Sequence, residues 1–208
     1  MTKKKQWSFY FDASQCSGCK TCQIACKDKH DLPKGILWRK VYEIAGGDWK
    51  QNGRNWTSGI HSYNLSLSCN HCEDPICMSK CPTGAIYKNE EGLVLIDDKK
   101  CMGCEYCKWA CPYGALQLNP QTGKMTKCTM CADYLAKGKL PSCVAACPMR
   151  VLDVGEWEIV RTKEDTGNEF FPLPPAKYTK PCLAVKPHQS GKALVRWKII
   201  NKEEVKHA

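Results

Sequence analysis

The chain reads as an α+β fold of two small cysteine-bound modules with an inserted segment and a Pro-rich C-terminal extension, and three observations carry that prediction. Cysteine occupies 17 of 208 positions, whereas Leu, Ile, Val and Phe together occupy only 37, too few for an ordinary aliphatic core. Sixteen of the cysteines fall into four groups of four, separated by short apolar stretches of strand length. The chain also repeats itself at an offset of 85 residues: Phe9-Tyr10-Phe11-Asp12 and Leu93-Val94-Leu95-Ile96-Asp97 each reach a cysteine four residues after the Asp, at Cys16 and Cys101.

In chain order, the strand at 9–12 feeds the first group, Cys16, Cys19, Cys22 and Cys26, a C-x2-C-x2-C-x3-C run. Residues 27–68 form an insertion rich in Trp, Gly and charge, with Trp38, Trp49, Trp56 and the turn Gly46-Gly47-Asp48, and no plausible ligand set. The second group, Cys69, Cys72, Cys77 and Cys81, reads C-x2-C-x4-C-x3-C-P. Between it and the next group, residues 86–97 predict two short strands around a polar, Gly-containing turn. The third group, Cys101, Cys104, Cys107 and Cys111, reads C-x2-C-x2-C-x3-C-P and matches the bacterial ferredoxin run residue for residue. The fourth, Cys128, Cys131, Cys143 and Cys147, has a wider middle gap and again ends in Pro. Beyond it, 156–208 carries Pro172, Pro174, Pro175, Pro181 and Pro187 and predicts an extended arm, for partner docking or for wrapping the chain's own body.

Such spacing serves iron–sulfur chemistry. Three thiolates from one tight loop reach three corners of a cube, while a fourth cysteine one helical turn on points elsewhere and, in two-cluster ferredoxins, binds the other cluster. Zinc competes for C-x2-C pairs, but it closes two pairs into one tetrahedron, and triplets with a displaced fourth Cys do not divide into pairs. The hairpin at 86–97 joins the second and third groups into one ferredoxin-like two-cluster module, 69–119, leaving the first and fourth to pair across the chain as another, 1–26 plus 120–155. Four [4Fe–4S] clusters follow: Cys16, Cys19, Cys22 with Cys147; Cys128, Cys131, Cys143 with Cys26; Cys101, Cys104, Cys107 with Cys81; Cys69, Cys72, Cys77 with Cys111. These sixteen cysteines are the predicted iron ligands, and Cys182 is assigned to no cluster.

Composition narrows the function. Mean hydropathy is −0.46 and no run approaches the roughly 20 apolar residues that cross a bilayer. The N-terminus shows neither an apolar signal core nor a twin arginine, so no signal peptide is expected. The formal charge of +10 counts every cysteine as a neutral thiol; four cluster cores at about −2 each bring it to about +2, which removes the case for nucleic acid. No Ser-His-Asp set, phosphate loop or dinucleotide fingerprint appears, so the chain is expected to move electrons and to hold no catalytic residue.

With the groups placed, the sequence resembles the electron-transfer (B) subunits of the membrane-bound dimethyl sulfoxide reductase family. The matching stretches are Cys16 to Asp28, Tyr42-Glu-Ile-Ala-Gly-Gly-Asp-Trp49, Ser68 to Pro75, Cys107 to Ala115, Met125-Thr-Lys-Cys128 and Lys177-Tyr-Thr-Lys-Pro181. The resemblance implies a relay between a quinol-oxidising integral membrane anchor and a molybdopterin catalytic subunit in anaerobic respiration, with no molybdenum cofactor in this chain. It implies that the first and fourth groups face the catalytic partner and the second and third the membrane. It also implies a peripheral place on the cytoplasmic membrane, the outer face preferred. Formate dehydrogenase and hydrogenase complexes have similar subunits, and a zinc-binding structural protein is the competing class. The tail Val195-Arg-Trp-Lys-Ile-Ile-Asn-Lys-Glu-Glu is too short and charged for the membrane-spanning helix usual in formate dehydrogenase beta subunits.

Other residues have plainer readings. His71, between Cys69 and Cys72, is expected to hydrogen-bond or to lie at the surface rather than to ligate, and His30, His61, His188 and His207 lack ligand spacing. Tyr106, Trp109 and Tyr113 are expected to shield a cluster from water rather than to relay electrons. Lys20, Lys27, Lys108 and Lys127, beside cysteines, are expected to offset cluster charge or to be solvated surface residues, the first reading slightly favoured.

Overall fold

In Trp7–Asp12, Phe9 and Phe11 turn inward two residues apart and Ser8 is buried on the other face, which makes the first strand the spine of a sheet. In chain order the strands are β1 (Trp7–Asp12), β2 (Lys40–Gly46), β3 (Trp49–Asn52), β4 (Asn55–Ser58), β5 (His61–Leu67), β6 (Ile86–Lys88), β7 (Val94–Ile96), β8 (Gln117–Asn119), β9 (Lys124–Thr126), β10 (Leu152–Glu156), β11 (Leu183–Lys186) and β12 (Trp197–Ile199). The helices are short: α1 (Thr21–Lys29), α2 (Ile76–Ser79), α3 (Tyr106–Ala110), α4 (Ala132–Leu135), α5 (Ser142–Ala145), α6 (Trp157–Val160) and α7 (Lys202–His207). This computed structural model describes residues 5–169, 172–192 and 197–207; the first four residues read above for a leader, and Val195 and Arg196 of the tail, lie outside them.

Among the described residues two three-stranded sheets and three hairpins result. β1 pairs antiparallel with β10 and parallel with β11, and β2 pairs antiparallel with both β12 and β5. The hairpin predicted at 86–97 is β6–β7, and β8–β9 forms another, so a boundary at 119/120 falls in a hairpin turn. β3–β4 crowns the insertion with every residue exposed. Its entry needs Gly47, which has φ +91°; a Cβ there would lie 2.0 Å from the Gly59 carbonyl oxygen.

Part of the C-terminal segment packs on the chain's own body, the second of the two readings of the arm. It contributes one strand to each sheet, because Leu183-Ala184-Val185 is apolar enough to cover the free edge of β1 and is wholly buried there. Cysteines share the core with the aliphatics. One cluster of buried side chains joins Phe9, Phe11, Ile44 and Leu65 to Cys22, Cys26, Cys69, Cys128, Cys143 and Cys147; a second joins Ile86, Val94, Leu116 and Met125 to Cys77, Cys101 and Cys107.

Candidate iron–sulfur centres

All four cysteine loops turn in the same way. The residue two places after each first cysteine, Gly18, His71, Gly103 and Met130, has a left-handed backbone with φ of +71°, +44°, +74° and +56°. Each third cysteine, Cys22, Cys77, Cys107 and Cys143, then sits on a helix and is buried, on α1, α2, α3 and α5. Where Pro follows the fourth cysteine, at 82, 112 and 148, the chain leaves in a turn closed by Gly84, Gly114 or Arg150 donating N–H to the cysteine carbonyl at 3.2–3.3 Å. Lys27 follows Cys26 instead, so α1 runs on to Lys29 and brings His30 back toward the fourth group.

The loops bring distant cysteines together. One small cavity is lined by Cys16, Cys19, Cys22 and Cys147, and another by Cys69, Cys72, Cys77 and Cys111. Neither is lined by a carboxylate or an imidazole. Cys26 lies in electrostatic reach of Cys128, Cys143 and Cys131, and Cys107 of Cys81, Cys101 and Cys104. The sets also lie within electrostatic reach of one another: Cys22 of Cys143, and Cys128 of Cys69. Among the described residues no three Cys, His, Asp or Glu side chains converge on one point as a zinc ion requires. Soft donors spread around a cavity fit a multi-iron core.

Burial pushes these thiols up, to about 11 at Cys16 and Cys107 and about 12 at Cys72, Cys77 and Cys128, so thiolates there need a cationic ligand to exist. Hydrogen bonds work the other way. Thr21 donates to the exposed Cys19 at 3.3 Å and holds it below the ordinary thiol value, the Met125 amide donates to Cys101 at 3.4 Å, and the Met130 amide to Cys128 at 3.3 Å. Ser66 Oγ lies 3.4 Å from Cys22, and His30 Nε2 lies 3.4 Å from Cys131. No spacing signal points to His30, because its approach depends on α1 continuing past Cys26.

Several neighbours differ from their expected roles. Trp109 is 72% exposed and packs edge-on against Tyr106, also exposed, because α3 buries only Cys107; Tyr113 is the one of the three aromatics that is half-buried, and its hydroxyl accepts from Thr179. Lys20 pairs with Glu43 and Glu204, Lys108 with Glu105, and Lys27 donates to the carbonyls of Pro33 and Ile36. Lys127 alone of the four is buried, donating to the carbonyls of Val94 and Cys128. Cys182 is fully buried, its amide on the Asn70 carbonyl. Arg39, unremarked in the sequence, is buried with its guanidinium over Phe9. Burial pulls its pKa down, but Cys143, Cys22, Cys128 and Cys26 outweigh that and hold it above the ordinary value.

Comparison with known proteins decides what this cysteine framework is. The protein is 48% identical over 187 residues to the B subunit of the anaerobic dimethyl sulfoxide reductase of Escherichia coli (strain K12), covering 90% of this chain and 91% of that one. It belongs to the iron–sulfur B subunits of the dimethyl sulfoxide reductase family. Within the family it is 41% identical over 151 residues to the thiosulfate reductase electron transfer subunit of Salmonella typhi, covering 72% of this chain and 76% of that one. It is 35% identical over 192 residues to the polysulfide reductase B subunit of Wolinella succinogenes, covering 90% and 97%. A family model described as a 4Fe-4S dicluster domain matches residues 60–157, a span holding the second, third and fourth groups.

Proposed function

We propose that this B subunit carries single electrons through four [4Fe–4S] clusters, each held by one of the quartets Cys16, Cys19, Cys22, Cys147; Cys128, Cys131, Cys143, Cys26; Cys69, Cys72, Cys77, Cys111; and Cys101, Cys104, Cys107, Cys81. The observation that carries the reading is the meeting of Cys147 with Cys16, Cys19 and Cys22 around one cavity, across more than half the chain. Supporting it are the soft, carboxylate-free donor sets and the loop turn repeated four times. Each quartet exchanging its fourth cysteine within a pair makes two ferredoxin-like modules, 1–26 with 120–155 and 69–119. When bound, each cluster takes up or releases one electron without breaking a bond. The protein's part is to fix spacing, exclude water and set the charge around each centre.

The proximity of the sets suggests an order: the Cys16 quartet next to the Cys128 quartet, where Cys22 is in electrostatic reach of Cys143, then the Cys69 quartet, where Cys128 is in reach of Cys69, then the Cys101 quartet through the contact of α2 with α3. A linear relay suits a subunit between a molybdopterin catalytic partner at one end and a quinol-oxidising anchor at the other, as the family resemblance implies. The relatives' names differ in dimethyl sulfoxide, thiosulfate and polysulfide, so the terminal substrate belongs to the catalytic partner. Among the described residues no helix is long and apolar enough to cross a membrane, consistent with a peripheral subunit whose anchor is another chain.

Iron, labile sulfide and zinc content of the anaerobically purified complex, with reductive EPR titration, tests the proposal. About 16 iron and 16 sulfide from this chain, with interacting S = 1/2 signals, is the expected result. Zinc in place of iron, or no signal on reduction, would return the cysteines to structure. Cys147→Ser is expected to remove or convert one cluster, losing up to about 4 iron, and to leave the signals of the 69–119 module in place.

A further inference from the structure

Arg39 is only 2% exposed, and among the described residues no carboxylate lies within ion-pair distance of it. One terminal nitrogen donates to the Ser66 hydroxyl at 3.2 Å and reaches its carbonyl at 3.4 Å; the other donates to the Ser68 hydroxyl at 3.1 Å. Nε is fully buried and has no hydrogen-bond partner. A buried guanidinium with neutral partners and an idle donor is strongly unfavourable, so the fold must bring negative charge to it. The groups placed to do so are cysteines of two quartets: the guanidinium lies over Phe9, which packs in one buried cluster with Cys143, Cys128 and Cys26 of one quartet and Cys22 of the other, and the same four cysteines act on its charge. Ser66 extends the contact, since its hydroxyl also lies 3.4 Å from Cys22.

We propose that Arg39 is the shared countercharge of the Cys16 and Cys128 quartets, a positioning residue that holds up the reduction potentials of both clusters and is needed where their charges meet. The inference rests on the cluster reading above and goes beyond it by assigning a tuning group that is no ligand. An electron arriving at either cluster adds one negative charge, and a fixed cation beside it favours that change. Lys20 and Lys108, by contrast, are neutralised by carboxylates at the surface and have little influence of this kind.

The test is a dithionite titration of the purified complex followed by EPR, comparing wild type with Arg39→Gln. Two of the four midpoint potentials are expected to fall, one by at least tenfold in its reduction equilibrium constant, which for one electron is about 59 mV. The other two are expected to stay within twofold. Four unchanged potentials in a fully loaded variant would overturn the proposal, and so would a uniform fall in all four, which reports general loosening. If Arg39→Gln does not retain iron, Arg39→Lys decides: full iron with potentials within twofold of wild type supports a role for charge, whereas lost iron or lowered potentials assign Arg39 to shape alone. Wild-type protein without cluster iron would instead overturn the cluster reading itself, so the two failures are distinguishable.

Discussion

His71 lies between two of the proposed ligands and shows how little room these loops leave. Its ring is fully buried, and Nδ1 accepts the Val94 N–H at 3.0 Å, a bond that ties the second cysteine loop to β7. Burial first, then the charges of Lys127 and Lys88, hold its pKa well below the usual histidine value, so the folded protein keeps it neutral. The unfolded chain takes up a proton near pH 6.5 and the folded chain does not; stability is therefore full above that pH and is lost as pH falls through it. The urea midpoint is expected to drop between pH 7 and pH 5, and His71→Asn, which keeps an acceptor for Val94, is expected to flatten that drop. An unchanged slope in the variant would place the acid sensitivity at other groups. That His71 is no ligand was legible in the sequence, because four cysteines already fill its group, but the sequence left a hydrogen-bonding and a surface role both open; its burial decides between them and depends on β7 arriving from 23 residues away.

At the scale of the element, backbone conformation decides whether a cysteine loop can close. Gly103 takes φ +74°, and a Cβ there would lie 2.1 Å from the carbonyl oxygen of Gly123 in the β8–β9 turn. Gly103→Ala is expected to cost about 2–4 kcal/mol, from left-handed strain together with the clash, and to lower iron retention. Gly138→Ala is the matched control: its φ is +66° but nothing lies within 4 Å of the added carbon, so about 1–2 kcal/mol is expected, with iron unaffected. Urea unfolding and iron analysis of both variants separate strain from clash. The helix ends were readable from Pro82, Pro112 and Pro148, since proline cannot continue a helix, and the continuation of α1 follows from Lys27. The four left-handed positions were only half readable, because two are glycine and the others are His71 and Met130, held there by their surroundings.

Across the whole molecule, the C-terminal segment is structural. β11 closes the edge of β1, whose other edge is β10, so residues near both termini and from 152–156 build one sheet beneath the first cysteine loop. Truncation after Cys182 removes β11 and β12 while leaving the contacts of Thr179 and Lys180 with Glu73 and Asp74. The shortened chain is expected to lose iron first from the Cys16 and Cys128 quartets, about 8 of 16, and retention of all 16 would show that sheet to be dispensable.

The chemistry of this protein is written locally: the number of cysteines, their spacing, the turns that follow them and hence the family can all be read along the chain, because a tight loop around a metal core is built from consecutive residues. What surrounds each centre emerges only when the chain is folded. The isolation of Arg39 from every described carboxylate, the place of β11 against β1, and the outward turn of Trp109 all depend on residues far apart in the chain packing together. Local spacing constrains what a loop can hold, whereas charge, water exclusion and contact between centres are set by whatever the rest of the fold brings alongside.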